Sequence, residues 1–329
     1  MAHRGLWPIV LIALIGPSTG LPGQGRVQPP FRLVPGVQLG ASVNLTDRNV
    51  MAQGTLFLAR KAEGVRTVVV LMNYGPTEEL MLTGSNPYSI WHEMSEAQGY
   101  GLLHLRVSPI QAPPPGPGNP TAAPERNAAA GGADALNRLL KILAAESTHP
   151  ELADAPLLFW GWSAAAGFGP SFARVHPERT VGFVRYHSHL RGIPVDIDTA
   201  KDIPALLFVG SEDSSELEQD TTELFRQGRS VDAPWALVRQ PHVPHVMRDE
   251  DIRSANRLVI PWIAAVVGER VDGTGPRLGK IARSTGWVGD LTTGEVSPSA
   301  NSTAPLAVSS WLPDERTARA WQAIVRGGP

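Results

Sequence analysis

Residues 156–175 admit few local structures. The apolar run 157–160 has the length and composition of a buried strand. Gly161, Trp162, Ser163, Ala164 and Ala165 follow, and then an alanine-rich stretch with helical character. Small residues two before and two after Ser163 let the chain reverse sharply without side-chain clash. A serine on such a strand–turn–helix unit projects its hydroxyl beyond the sheet edge. The same residues also suit a buried strand followed by a serine-capped helix, because serine is a good N-cap.

Downstream, two more strands end in chemically useful loops. The run 203–210 is apolar, stops at Gly210 and leads to Glu212 and Asp213. A polar helical stretch, 216–228, precedes a strand at 235–239. His242 and His245 follow, ahead of a helix over 249–267 with acidic residues in its first turn. Serine, acid and histidine therefore occur in that order, each just past a strand. A carboxylate so placed can hold an imidazole in its useful tautomer and stabilise it once protonated. Glu212 competes with Asp213 for the acid's part, and His242 with His245 for the base's.

These residues resemble the α/β-hydrolase superfamily over about 37–267. The resemblance implies Ser163 as nucleophile, His245 as base and Asp213 as the acid that orients it. It also implies an oxyanion hole, with one donor from the amide of Ala164. The second donor comes from the loop after the strand 67–72. Many relatives carry His-Gly there; this chain has Asn73, Tyr74 and Gly75, and the Tyr74 amide is the expected donor. An ordinary turn around Gly75 and Pro76 is the competing reading. Ala165 stands where the family usually has glycine.

The remaining pattern predicts a doubly wound, mostly parallel sheet with helices on both faces. Early strands fall at 37–43 and 54–60, as an antiparallel start. A helix over 89–98 puts Ile90, Trp91, Met94 and Ala97 on one face. A strand follows at 102–107. A helix over 132–146 spaces Leu136, Leu139, Leu140 and Leu143 at helical period. Strands alternating with helices give a parallel sheet, whose ligands sit beyond the carboxyl ends of the strands.

Two connections are unusual. Residues 108–124 contain seven prolines and predict a stiff loop that is either a spacer or a rim of the site. The stretch 185–201 occupies the place where many lipases insert a helical cap and is too short for one. Little or no cap is expected, and an open site suits a bulky or polymeric ester. His187 and His189 lie in this stretch with Asp196 and Asp198 nearby. No spacing fixes a third ligand and no zinc signature is present, so no metal is expected.

Residues 1–20 have a short basic start, an apolar run at 5–16 and small residues before Leu21. This is a signal-peptide pattern, and the run is too short to span a bilayer comfortably. A secreted or periplasmic protein with no stable membrane association after cleavage is expected. The chain has no cysteine, which excludes disulfides, thiolate metal sites and cysteine catalysis. Its net charge of −2 offers nucleic acid no basic surface.

The 329 residues suit a catalytic domain over 21–267 and a C-terminal extension over 268–329 packed on it. In the extension, 286–295 has hairpin character, and a helix over 315–325 has Asp314 or Ser310 as its cap. Trp287, Trp311 and Trp321 fit docking anchors better than a sugar platform.

The resemblance thus implies a secreted serine esterase that needs no cofactor and is similar to the polyhydroxybutyrate-depolymerase and feruloyl-esterase branch. Two alternatives stand beside it. A serine peptidase of prolyl-oligopeptidase type also uses an elbow serine, but usually carries a gating domain. A non-catalytic binding protein on a hydrolase scaffold would use the tail tryptophans and the proline-rich loop as its contact surface.

Overall fold

Five strands of this chain are apolar on both faces, which suits a sheet covered from two sides. They are β3 (Val68–Met72), β5 (Leu157–Trp162), β6 (Thr180–Tyr186), β7 (Ala205–Gly210) and β8 (Trp235–Gln240). With β1 (Gly36–Leu45), β2 (Val50–Ala59) and β4 (Gly101–Pro109) they form one eight-stranded sheet, in the order β1-β2-β4-β3-β5-β6-β7-β8. The pairs β1/β2 and β2/β4 are antiparallel, and every pair from β4/β3 to β7/β8 is parallel. The structure is a computed structural model, and it describes residues 36–59, 64–72, 89–111, 123–189, 195–246, 248–272 and 277–327.

Helices cover both faces. On one, α2 (Gly132–Glu146) buries Leu136, Leu139, Leu140 and Leu143. It shares that layer with Phe168 and Phe172 of α3 (Phe168–Val175) and with Leu224 and Phe225 of α5 (Ser215–Ser230). On the other, Trp91 and Met94 of α1 (Ser89–Gln98) join Leu258, Trp262 and Val266 of α6 (Asp249–Arg270). This strand order, with its antiparallel start and both faces covered, is the α/β-hydrolase architecture. Between β6 and β7 the described residues hold one short helix, α4 (Ile197–Ala200), and no cap domain.

The C-terminal residues add a small antiparallel sheet of β9 (Trp287–Asp290), β10 (Val296–Pro298) and β11 (Ser309–Leu312), then α7 (Glu315–Val325). Asp314 caps α7 by accepting from the Thr317 amide at 2.7 Å. Ser310 is no cap. Its hydroxyl accepts from the Leu237 amide at 3.0 Å and donates to the Leu237 carbonyl at 3.2 Å, on the open edge of β8. The indole of Trp321 donates to the same carbonyl at 2.7 Å. Trp311 and Trp321 are buried, and Trp287 lies half-buried under the Arg319 guanidinium.

Several expected features fall outside the described residues: the leader 1–20, the loop of Asn73, Tyr74 and Gly75, and most of the proline-rich loop. No helix among the described residues is long and apolar enough to cross a membrane.

Candidate active site

Ser163 sits where β5 turns into the elbow, and its φ is +53°. A non-glycine residue is rare in that conformation and stays there only if its surroundings demand it. Gly161 permits the turn, because a Cβ there would come 2.6 Å from the Ala166 backbone. The chain then makes a turn of 3₁₀ helix, Ser163–Gly167, before α3 begins. The serine hydroxyl does not cap that helix. It lies 3.0 Å from His245 Nε2.

His245 stands on the loop between β8 and α6, with its Nδ1 3.1 Å from Asp213 Oδ1. Nδ1–H therefore points at the carboxylate, which leaves Nε2 to accept the serine proton. The Asp213 side chain is wholly buried, while that of His245 is 38% exposed. Asp213 is turned back onto β7: its amide donates to the Gly210 carbonyl at 3.1 Å, and the Gly210 amide donates to its Oδ2 at 2.8 Å. Burial alone would raise this carboxyl. Contacts with the His187 and His245 imidazoles and the Gly210 amide outweigh burial and hold it well below the usual carboxylate range.

The geometry separates the sequence alternatives. Glu212 is exposed, and its amide donates to the Val243 carbonyl at 3.1 Å. His242 is also exposed and serves the turn: its amide donates to Ser211 Oγ at 2.8 Å, and its carbonyl accepts from Arg248 at 3.1 Å. These bonds tie the loop of Asp213 to the loop of His245. Ala164 lies in the first turn after the elbow, where amides have no partner within the helix. Tyr74 lies outside the described residues.

Two contacts were not read from the sequence. The Trp162 indole stacks on the His245 ring with centroids 5.7 Å apart, so the residue before the serine forms a shelf for the imidazole. His187 brings its Nδ1 within 2.9 Å of Asp213 Oδ2. The sequence sets it beside His189, with Asp196 or Asp198 nearby, as a metal ligand to be tested. Asp196 instead caps α4, accepting from the Thr199 amide at 3.4 Å and also from Thr199 Oγ1 at 2.8 Å. His187, Asp213 and His245 do offer donor atoms within 4.8 Å of one another, the arrangement a metal ion could use. Yet the carboxylate there is already engaged by His245 and the Gly210 amide.

No protein-family model and no curated protein sequence matches the chain. Solved structures do resemble it in fold. A fungal esterase from Rhizomucor miehei superposes with a TM-score of 0.49 at 12% identity, over 72% of this chain and 86% of that one. A serine hydrolase without a lid from Xanthomonas campestris gives 0.42 at 13%, over 68% and 94%. A Bacteroides ovatus protein assigned as a dipeptidyl aminopeptidase IV gives 0.48 at 12%, over 71% of this chain and 36% of its own length. At such identities the likeness concerns the fold and says nothing of activity, which belongs to the site.

Proposed function

We propose that the protein is a serine hydrolase that cleaves carboxylic esters. The observation that carries this reading is the continuous contact from Ser163 Oγ through His245 to the buried Asp213 carboxylate. In this mechanism His245 takes the hydroxyl proton as Ser163 attacks the ester carbonyl, and the imidazolium is stabilised by Asp213. The Ala164 amide, with that of Tyr74 as the second donor, binds the oxyanion. His245 then protonates the leaving alcohol. Water, activated by the same imidazole, releases the acid from Ser163. No cofactor enters any step.

The short connection between β6 and β7 supports an open site and a bulky or polymeric ester as substrate, in the manner of polyhydroxybutyrate depolymerases and feruloyl esterases. The leader 1–20 supports action outside the cytoplasm, secreted or periplasmic, without a nucleic-acid partner or a stable membrane attachment.

Hydrolysis of p-nitrophenyl esters from acetate to octanoate tests the proposal. Ser163→Ala should lower turnover at least about a thousandfold, and the chain-length profile sizes the acyl pocket. Equal rates in the two proteins would overturn it.

A further inference from the structure

At the end of β6 the chain enters the left-handed region at His187, with φ of +47°. The backbone stays on the sheet, and the His187 amide donates to the Phe208 carbonyl at 3.2 Å. The imidazole, wholly buried, lies face to face on the Tyr186 ring, with centroids 4.5 Å apart and planes 7° from parallel. Its two nitrogens meet different groups. Nδ1 is 2.9 Å from Asp213 Oδ2. Nε2 is 3.0 Å from Gln240 Oε1, which also accepts from the Tyr186 hydroxyl at 2.5 Å. Room for the ring comes from Gly210, where a Cβ would come 2.9 Å from His187 Cε1.

Asp213 is therefore held at both oxygens, Oδ1 by His245 and Oδ2 by His187 and the Gly210 amide. The Gly210 amide alone leaves Oδ2 one hydrogen bond about which the carboxylate can tilt. With the His187 ring against the same oxygen, Oδ1 is presented to His245 in a fixed direction. The approach of His187 Nδ1 is short but poorly aligned for a hydrogen bond, so the ring holds the carboxylate by close polar contact. A leucine could fill such a buried space without the cost of desolvating an imidazole. Strained backbone and a buried polar ring together suit a functional constraint better than a packing role.

We infer that His187 is a positioning residue, braced by Tyr186 and Gln240, that fixes the Asp213 carboxylate for its contact with His245. This rests on the serine-hydrolase reading. The test is the rate at which a fluorophosphonate probe labels Ser163, together with kcat and KM on p-nitrophenyl acetate. His187→Gly relieves the positive φ and removes the ring. It should slow labelling about tenfold or more, lower kcat equally and leave KM within about twofold, with added imidazole restoring part of the rate. His187→Asn accepts the left-handed backbone and keeps a polar group near the Nδ1 position, so it should stay much closer to wild type. Wild-type labelling in a folded His187→Gly, or an equal loss in His187→Asn, would overturn the inference. If His187→Gly does not fold, Gln240→Met removes the brace at Nε2 and should also slow labelling; an unchanged rate overturns the inference. Labelling that persists in Ser163→Ala would remove the serine-hydrolase reading itself, whereas labelling that needs Ser163 but ignores His187 removes this inference alone.

Discussion

Gly210 lies in close contact with both the loop that carries Asp213 and the loop that carries His245. A Cβ there would lie 2.1 Å from the Val243 carbonyl oxygen, a backbone atom that cannot rotate away. That carbonyl belongs to the loop of His245 and accepts from Glu212 beside the acid. Gly210→Ala must therefore push the base loop outward. We expect a stability loss of about 1–3 kcal/mol from overpacking and a fall in kcat larger than the change in KM. Thermal unfolding and ester kinetics check this; an alanine variant with wild-type Tm and kcat would show that the loop has room. Much of the local geometry is legible in the sequence, because Ser163, Asp213 and His245 each follow a strand end. The choice between Asp213 and Glu212 is not. It depends on the chain folding back so that the Gly210 amide meets the carboxylate, while Glu212 turns to solvent. The place of His187 was equally hidden, since the contact joins β6 to the loop after β7 and no spacing rule connects them.

Elements with strong internal pattern are the ones that sequence describes well. The helix over 132–146 has the same bounds in the structure, because its leucines repeat at helical period and its neighbours offer no competing pattern. The hairpin character at 286–295 falls on β9 and the turn after it, while the partner strand β10 lies beyond those residues and the third strand, β11, pairs through register rather than local signal. The sequence offers Trp321 as a docking anchor but does not say that it docks on the β8 edge. An open edge offers unpaired amides and carbonyls to any other strand. Here Ser310 and Trp321 occupy both groups of Leu237. Trp321 is fully buried in the layer that contains α6. Trp321→Ala should cost about 3–5 kcal/mol, and Ser310→Ala about 1–3 kcal/mol through the stranded Leu237 amide, since Trp321 still serves the carbonyl. Urea unfolding followed by circular dichroism measures both. A loss near zero for Ser310→Ala would mean that water reaches this edge.

Across the whole molecule, acid should weaken the fold in two successive windows. His104 on β4 is nearly excluded from solvent, and burial, aided by the neighbouring Arg106 charge, pushes its imidazole down to about 4. An unfolded histidine titrates near 6.5. As pH falls between those values, the unfolded chain binds a proton that the folded chain refuses, so stability is lost. The full window is worth about 3 kcal/mol at 1.36 kcal/mol per unit. Below it the folded state takes the proton too, and this contribution stops changing. Asp213 acts next and with the opposite cause. Its folded carboxyl is held below the unfolded value near 3.9, so its stabilisation is present above that value and drains away as pH drops further. Replacing the imidazole by a group that does not titrate should separate the two. In His104→Gln the urea midpoint should stay nearly level from pH 6.5 to 4 and fall below 4, where the unfolded Asp213 takes a proton that the folded carboxylate refuses. Wild type should fall across both ranges. If His104→Gln tracks wild type through the upper window, the loss there comes from other groups and the buried His104 is not what limits the fold in mild acid.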